Sequence, residues 1–245
     1  MIADTVPPER RGAAYGFQRV MDHSGAVAGP IIAAILIGVF GMSVRQVILA
    51  AIVPSIVVII LVMTLKDPSK PEKINVSKNS LPEKNVPAGF GMLVTAVFIF
   101  TLGNSTDAFL LLRLSEAGIK PHYIPILWSL HHVLKIAGAW FGGNFSDILG
   151  RKILMISGLA IYSAIYLLFG IATGSTFLIF IFIFYGLSIG ILEPTESAWV
   201  SELSHSDKRG TAFGIYNAVK GFGALPASFI FGLLWKEFGY LTAFS

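Results

Sequence analysis

Four stretches of this sequence run for about twenty residues or more without a lysine, arginine, aspartate or glutamate: His23–Val44, Gln46–Leu65, Val86–Thr106 and Ile153–Leu192. The hydrocarbon core of a bilayer is about 30 Å thick, and a helix needs roughly 20 apolar residues to cross it. Backbone amides find no water there, so such runs fold as helices that satisfy their own hydrogen bonds. Composition agrees, because 54% of the 245 residues are hydrophobic and only 13% are charged. With a mean hydropathy of +0.73, the chain holds more apolar surface than one water-soluble core can hide. The fold class expected is an all-α membrane protein, a polytopic helical bundle in contact with a lipid bilayer.

The pattern predicts seven spans, over Ala13–Val39, Gln46–Leu65, Gly89–Leu112, Ile124–Phe141, Ile153–Ala172, Phe177–Ser197 and Thr211–Trp235. The closing YLTAFS reads as the opening of another helix. Basic residues fall mostly in the loops on one side, with Arg10, Arg11, the lysines of 66–84, Arg151, Lys152, Lys208 and Arg209 against Arg45, Arg113, Lys120 and Lys236 opposite. The positive-inside rule puts the first group, and the N-terminus with it, in the cytoplasm. That explains the net charge of +4 as topology, and nucleic acid is not an expected partner. The opening MIADTVPPERRG lacks the apolar centre of a cleavable signal. Without cysteine, thiol catalysis, disulfides and thiolate metal sites all drop out.

Residues 66–88 are rich in proline and alternating charge and read as a cytoplasmic linker. The expected organisation is two spans in 1–65, the linker at 66–88, and five complete spans plus a truncated sixth in 89–245. The segment ERRGAAYGFQRVMDHSGAVAGPIIAAIL from Glu9 also aligns with DKRGTAFGIYNAVKGFGALPASFIFGLL from Asp207. Arg11-Gly12 falls on Arg209-Gly210, Gly16 on Gly214 and, after a two-residue slip, Pro30 on Pro226. Both copies begin a helix leaving the same side, which makes a parallel repeat of the kind that relates two halves of a transporter.

Residues Gly143, Asp147, Gly150, Arg151 and Lys152 occupy every anchor of the pattern G-x-x-x-D-x-x-G-R-K. In this the chain resembles the major facilitator superfamily (MFS), whose signature loop has that form. Gly25, Gly29 and Pro30 resemble the family's antiporter motif in its fifth helix, with Ala33-Ala34 standing where the motif ends in a glycine pair. The resemblance implies a fragment matching helices five to eleven of a twelve-helix fold, the missing helices coming from a longer chain or from a partner. It also implies that Asp147 sits at the N-terminus of the helix starting near Gly12, stabilised by the helix dipole and by Arg11. The signature stretch itself is expected to be a charged cytoplasmic hinge between two helices.

Charges inside spans are costly, and each is a candidate for a substrate or proton pathway. Arg19 and Asp22, three apart, can pair on one helix face, and Lys220 stands at the repeat position of Asp22, which suggests an Asp22–Lys220 relation across a central cavity. Asn104 and Asp107 lie in the outer part of one continuous span, Asp107 roughly 27 Å along it at 1.5 Å per residue. His131 and Lys135 share a helix face, while the adjacent His132 points elsewhere, so no metal site is expected. Glu193 is the deeper carboxylate of the EPTE stretch and the better protonation candidate, with Glu196 expected at the interface.

No zinc signature, nucleophile elbow or phosphate loop appears, so neither an enzyme nor a cofactor is expected. The function expected is secondary active transport of a small solute by alternating access, with proton-coupled efflux as an implication of the resemblance. The membrane expected is a bacterial-type inner membrane. A channel, and a truncated or partner-dependent protein without transport of its own, are the alternatives.

Overall fold

The computed structural model describes residues 2–65, 88–120 and 123–244, so the linker expected at 66–88 lies, apart from residue 88, outside the described residues. The described chain is helical: α1 (Ile2–Thr5), α2 (Arg11–Gly38), α3 (Val44–Ala50), α4 (Ile52–Thr64), α5 (Ala88–Gly103), α6 (Asp107–Glu116), α7 (Ile124–Leu149), α8 (Arg151–Ile171), α9 (Ser175–Glu202) and α10 (Arg209–Phe244). Six segments are long and apolar enough to cross a membrane, with α3–α4 and α5–α6 each counting as one. Helix α7, also expected as a span, is not among the six. It carries His131, His132 and Lys135, and all three are buried.

One compact unit comprises residues 28–85. Its helix α3 opens on a reciprocal cap, in which the Gln46 amide donates to Ser43 Oγ and the Ser43 amide donates to Gln46 Oε1 at 2.8 Å. The span expected over 46–65 is interrupted at Ala51, three residues before Pro54. A proline has no amide to return to the carbonyl four residues back, which favours ending α3 and restarting at α4 with Pro54 in the first turn.

The other unit joins residues 1–27 to 86–245. Here α7 lies along α9, α8 packs on α9, and α10 packs on α5 and α8. Glycines set the α7–α9 distance: a Cβ on Gly138 would lie 2.5 Å from the Leu187 carbonyl oxygen, and one on Gly142 would lie 2.6 Å from the Ile191 Cα. Such close backbone approach is the membrane mode of helix packing, where small residues replace hydrophobic burial as the organising device. Around this seam Phe169, Leu178, Phe182, Tyr185 and Leu192 form a core with Leu110 and Leu114 from α6.

Two expectations need correction. The span over 89–112 is not continuous, because the helix stops at Gly103, residues 104–106 are non-helical, and α6 restarts at Asp107. Asp107 therefore stands in the first turn of a new helix, where a carboxylate faces the positive end of the dipole. The span expected to end at Phe141 continues to Leu149, and the bend expected over the whole of GGNFSDILGRK is confined to Gly150, at φ +90°. Gly142 and Gly143 are helical because their role is contact with other helices rather than turning.

At the far end of α6, buried Arg113 donates from Nη2 to the Ala172 carbonyl at 2.8 Å, capping the C-terminus of α8. Its guanidinium carbon lies 3.7 Å above the Tyr240 ring, one residue past the break in α10 at Gly239 (φ +82°). Arg113→Met is expected to lower stability by about 1–3 kcal/mol, since it removes a charge-assisted hydrogen bond and a desolvated cation–π contact together. A shift of the unfolding midpoint in a denaturing-detergent titration measures this, and an unchanged midpoint would refute it.

Candidate functional site

Where α2, α7 and α9 meet, the Glu193 carboxylate is surrounded by basic side chains. Its Oε2 is 3.0 Å from His23 Nε2 and 3.7 Å from Arg19 Nε, and its Oε1 is 3.9 Å from Lys135 Nζ. Helical spacing accounts for the cluster, because Arg19 and His23 are four apart on α2 and so share a face. Proline at 194 falls inside α9 directly after Glu193. The arrangement compensates a carboxylate taken out of water, and it does so from two neighbouring helices.

One turn on, Glu196 is 1% exposed, enclosed by its neighbours on other helices. Tyr216 donates its hydroxyl to Glu196 Oε2, and Lys220 Nζ reaches the same oxygen at 3.0 Å and the Tyr216 oxygen at 3.1 Å. Lys220 thus pairs with Glu196 and not with Asp22. Asp22 turns to Arg19, at 3.6 Å. The repeat places Asp22 and Lys220 at equivalent positions, but each has a nearer partner, Arg19 three residues back on α2 for Asp22 and Glu196 on α9 for Lys220.

The break between α5 and α6 holds a third polar group. Tyr162 donates to Asn104 Oδ1 at 3.0 Å, and Tyr185 donates to Asp107 Oδ1 at 3.0 Å. Ser105 Oγ lies 3.2 Å from the Tyr166 hydroxyl. Three phenols from α8 and α9 thereby hold the polar side chains of the break, at Asn104, Ser105 and Asp107. His131 is fully enclosed between Trp128, Phe182 and Tyr185. Its Nδ1 is 3.0 Å from the Phe182 carbonyl, which can only accept, so Nδ1 carries the hydrogen. His131 and Lys135 are both buried on α7, but only Lys135 reaches Glu193.

At the end of α7 the signature residues meet the start of α2. Asp147 Oδ1 accepts from the Gly12 amide at 2.9 Å, and Oδ2 accepts from the Ala13 amide at 2.8 Å. Two free amides at a helix start are a ready carboxylate site. Glycine is needed at 12, where a Cβ would lie 2.7 Å from Asp147 Oδ1, and at 143, where one would lie 2.5 Å from the Gly12 carbonyl oxygen. The cation beside Asp147 is Arg151, at 3.3 Å, and not Arg11. Arg151 also donates to the Pro8 carbonyl at 3.3 Å and pairs with Glu202 at 3.0 Å. It follows Asp147 by four residues across the Gly150 turn, which brings its guanidinium back to the carboxylate. Lys152 is exposed at the same end and lines a cleft with Leu149 and Trp199. Gly25 and Gly29 meet nothing within 4 Å among the described residues. Pro30 lies within α2.

Sequence reasoning did not single out His23 or the tyrosines. His23 sits one turn after Arg19 on a face already marked as polar, a signal that was available. The tyrosines at 162 and 166 are likewise four apart, but nothing in sequence showed that a helix would break opposite them.

Comparison with known proteins fits this geometry. The Major Facilitator Superfamily family model matches residues 1–113 and 92–245. An archaeal relative, the uncharacterized MFS-type transporter MJ1317 of Methanocaldococcus jannaschii, is 31% identical over 235 residues, covering 94% of this chain and 59% of that protein. Multidrug resistance protein 2 of Bacillus subtilis is 28% identical over 56% of this chain and 35% of its own length. The proton-coupled antiporter flippase LtaA of Staphylococcus saprophyticus is 27% identical over 33% of this chain and 20% of its own. This chain spans less than two thirds of the length of each of these relatives. It is an integral membrane protein and belongs to the Major Facilitator Superfamily.

Proposed function

We propose that this chain is the part of a secondary active transporter that carries its closing contact and its proton-responsive carboxylate, working by alternating access on a small solute. The observation that carries this reading is Glu193, a carboxylate in an apolar span held by Arg19 and His23 of α2 and by Lys135 of α7. Protonation removes the negative charge that binds α2 to α7 and α9, and a proton gradient then acts on the helix contact directly. The names of two relatives, a multidrug resistance protein and a proton-coupled antiporter, support proton-coupled efflux as the direction. Asp147 on the Gly12 and Ala13 amides is the latch that holds the Asp147 side closed, and by the positive-inside rule that side is cytoplasmic.

The chain has no cysteine, so an introduced one is the sole label site. Ala14→Cys reports the latch side and Ala117→Cys reports the far end of α6. Alternating access requires the two labelling rates to change in opposite directions as pH is lowered in vesicles, whereas a channel changes them together. Asp147→Asn keeps the side-chain shape but loses the charge on the helix start, a term of about 0.3–1 kcal/mol before the Arg151 contact is added. The variant is expected to raise Ala14→Cys labelling about threefold or more; unchanged labelling would exclude the latch.

A further inference from the structure

Three groups surround Glu193, but they differ in what they can do with a proton. Arg19 is permanently charged. Lys135, at 3.9 Å, is beyond hydrogen-bond distance. His23 alone touches the carboxylate, Nε2 to Oε2 at 3.0 Å, and imidazole is the side chain suited to accept and release a proton near neutral pH. Behind His23, the edge of the His132 ring stands 5.5 Å away, centroid to centroid.

We infer that His132 and His23 form a two-step proton entry to Glu193, a route that rests on the transport reading above. His132 Nδ1 is committed to the Trp128 carbonyl at 3.0 Å, so Nε2 is the nitrogen left to pick up a proton. His131, although adjacent, is a dead end: its Nδ1 is held by Phe182 and its Nε2 is enclosed without a partner. His131 is 0% exposed and His132 is 6% exposed, which decides between them. The proton arrives at His132 Nε2 and makes an imidazolium. It crosses the ring gap through one bridging water to His23 Nδ1, and His132 becomes neutral again. His23 then gives its Nε2 proton to Glu193 Oε2, leaving a neutral carboxylic acid and a neutral imidazole protonated on Nδ1, and the starting tautomer returns when Nε2 takes the Glu193 proton back and Nδ1 releases its own. The titratable and charged groups facing this route are Arg19 and Asp22 on α2, Asp107 on α6, His131 and Lys135 on α7, and Glu193 on α9, with the Glu196–Tyr216–Lys220 group next along α9 and α10.

A relay alters the rate of protonation and not its end point, and the test uses that difference. The full chain carrying Arg10→Cys with an environment-sensitive fluorophore is placed in vesicles and followed by stopped flow after an acid jump. His132→Phe, which keeps an aromatic ring on Trp128, is expected to slow the signal about tenfold or more with its final amplitude unchanged. His132→Ala is expected to be slow as well, and to recover when free imidazole is added. A rate equal to that of the parent chain in both variants overturns the relay and leaves the transport reading in place. A lost amplitude without imidazole rescue assigns His132 a structural role and also overturns the relay. No pH-driven signal in the parent chain removes the transport reading, and the relay goes with it.

Discussion

In vesicles, Glu193→Gln is expected to abolish the pH-driven change in Ala14→Cys labelling, leaving a rate that is flat to within about twofold where the parent chain changes about tenfold. Glutamine keeps the length and an acceptor for His23 Nε2, so the hydrogen bond and the packing survive, but the charge does not. Lys135 then loses its anion, and Arg19 is left with Asp22 alone. Breaking a fully buried pair by removing one partner costs about 3–5 kcal/mol. Here the side chains of Arg19 and Glu193 remain 32% and 20% exposed, so solvent screening reduces that figure to about 1–2 kcal/mol, still about tenfold in an equilibrium. The direction follows from the chemistry: a permanently neutral residue 193 mimics the protonated state, and labelling stays fixed at the low-pH rate of the parent. A variant that still swings with pH would transfer the proton-responsive role elsewhere, with Glu196 or Asp107 as the carboxylates to try.

The second large effect is on stability. Gly190→Val is expected to prevent stable packing of α7 on α9, at a cost of about 3 kcal/mol or more, read as lost folded yield and a lowered unfolding midpoint. A Cβ at 190 would meet the Lys135 carbonyl oxygen, and it would lie 2.9 Å from the Gly138 Cα and 3.0 Å from the Ala139 nitrogen. These are backbone atoms, which cannot swing aside as a side-chain end can. Gly25→Ala is the matched control, because nothing lies within 4 Å of residue 25 among the described residues. It replaces a poor helix former in α2 and is expected to be neutral or to stabilise by about 0.5–1 kcal/mol. Equal losses in the two variants would show that glycine content and not the α7–α9 seam matters.

Much of the architecture was legible because bilayer thickness imposes a length on apolar runs, and length survives in sequence as His23–Val44 or Ile153–Leu192 does. Helix breaks were not legible. Nothing in TLGNSTDA distinguishes an interruption at Asn104–Thr106 from a polar patch on one long helix, since the interruption is stabilised by phenols that lie 58 or more residues away. The extent of α7 was misjudged for a related reason. A Gly-Gly pair reads locally as a turn, whereas Gly142 and Gly143 are small because Ile191 and Gly12 come close. Among the charges, neighbours on one helix such as Arg19 and Asp22 were readable from spacing alone. Partners from different helices, Glu193 with His23 or Glu196 with Lys220, depend on how α2, α9 and α10 rotate about their axes, and one sequence does not encode that rotation visibly.

Arg19 stands almost midway between two carboxylates, 3.6 Å from Asp22 and 3.7 Å from Glu193. When Glu193 takes a proton, the guanidinium has no need to pass through a state without an anion; it transfers to an acceptor on its own helix by a small side-chain rotation. Separation of α2 from α9 then becomes an exchange of partners instead of a dissociation. The desolvation penalty that makes a lone charge so costly in an apolar span is never met in full. Under the transport reading proposed above, Asp22 lowers the barrier to the movement without changing which state the gradient favours. In that reading, a residue of this kind sets the turnover frequency of the cycle while leaving its thermodynamics to Glu193.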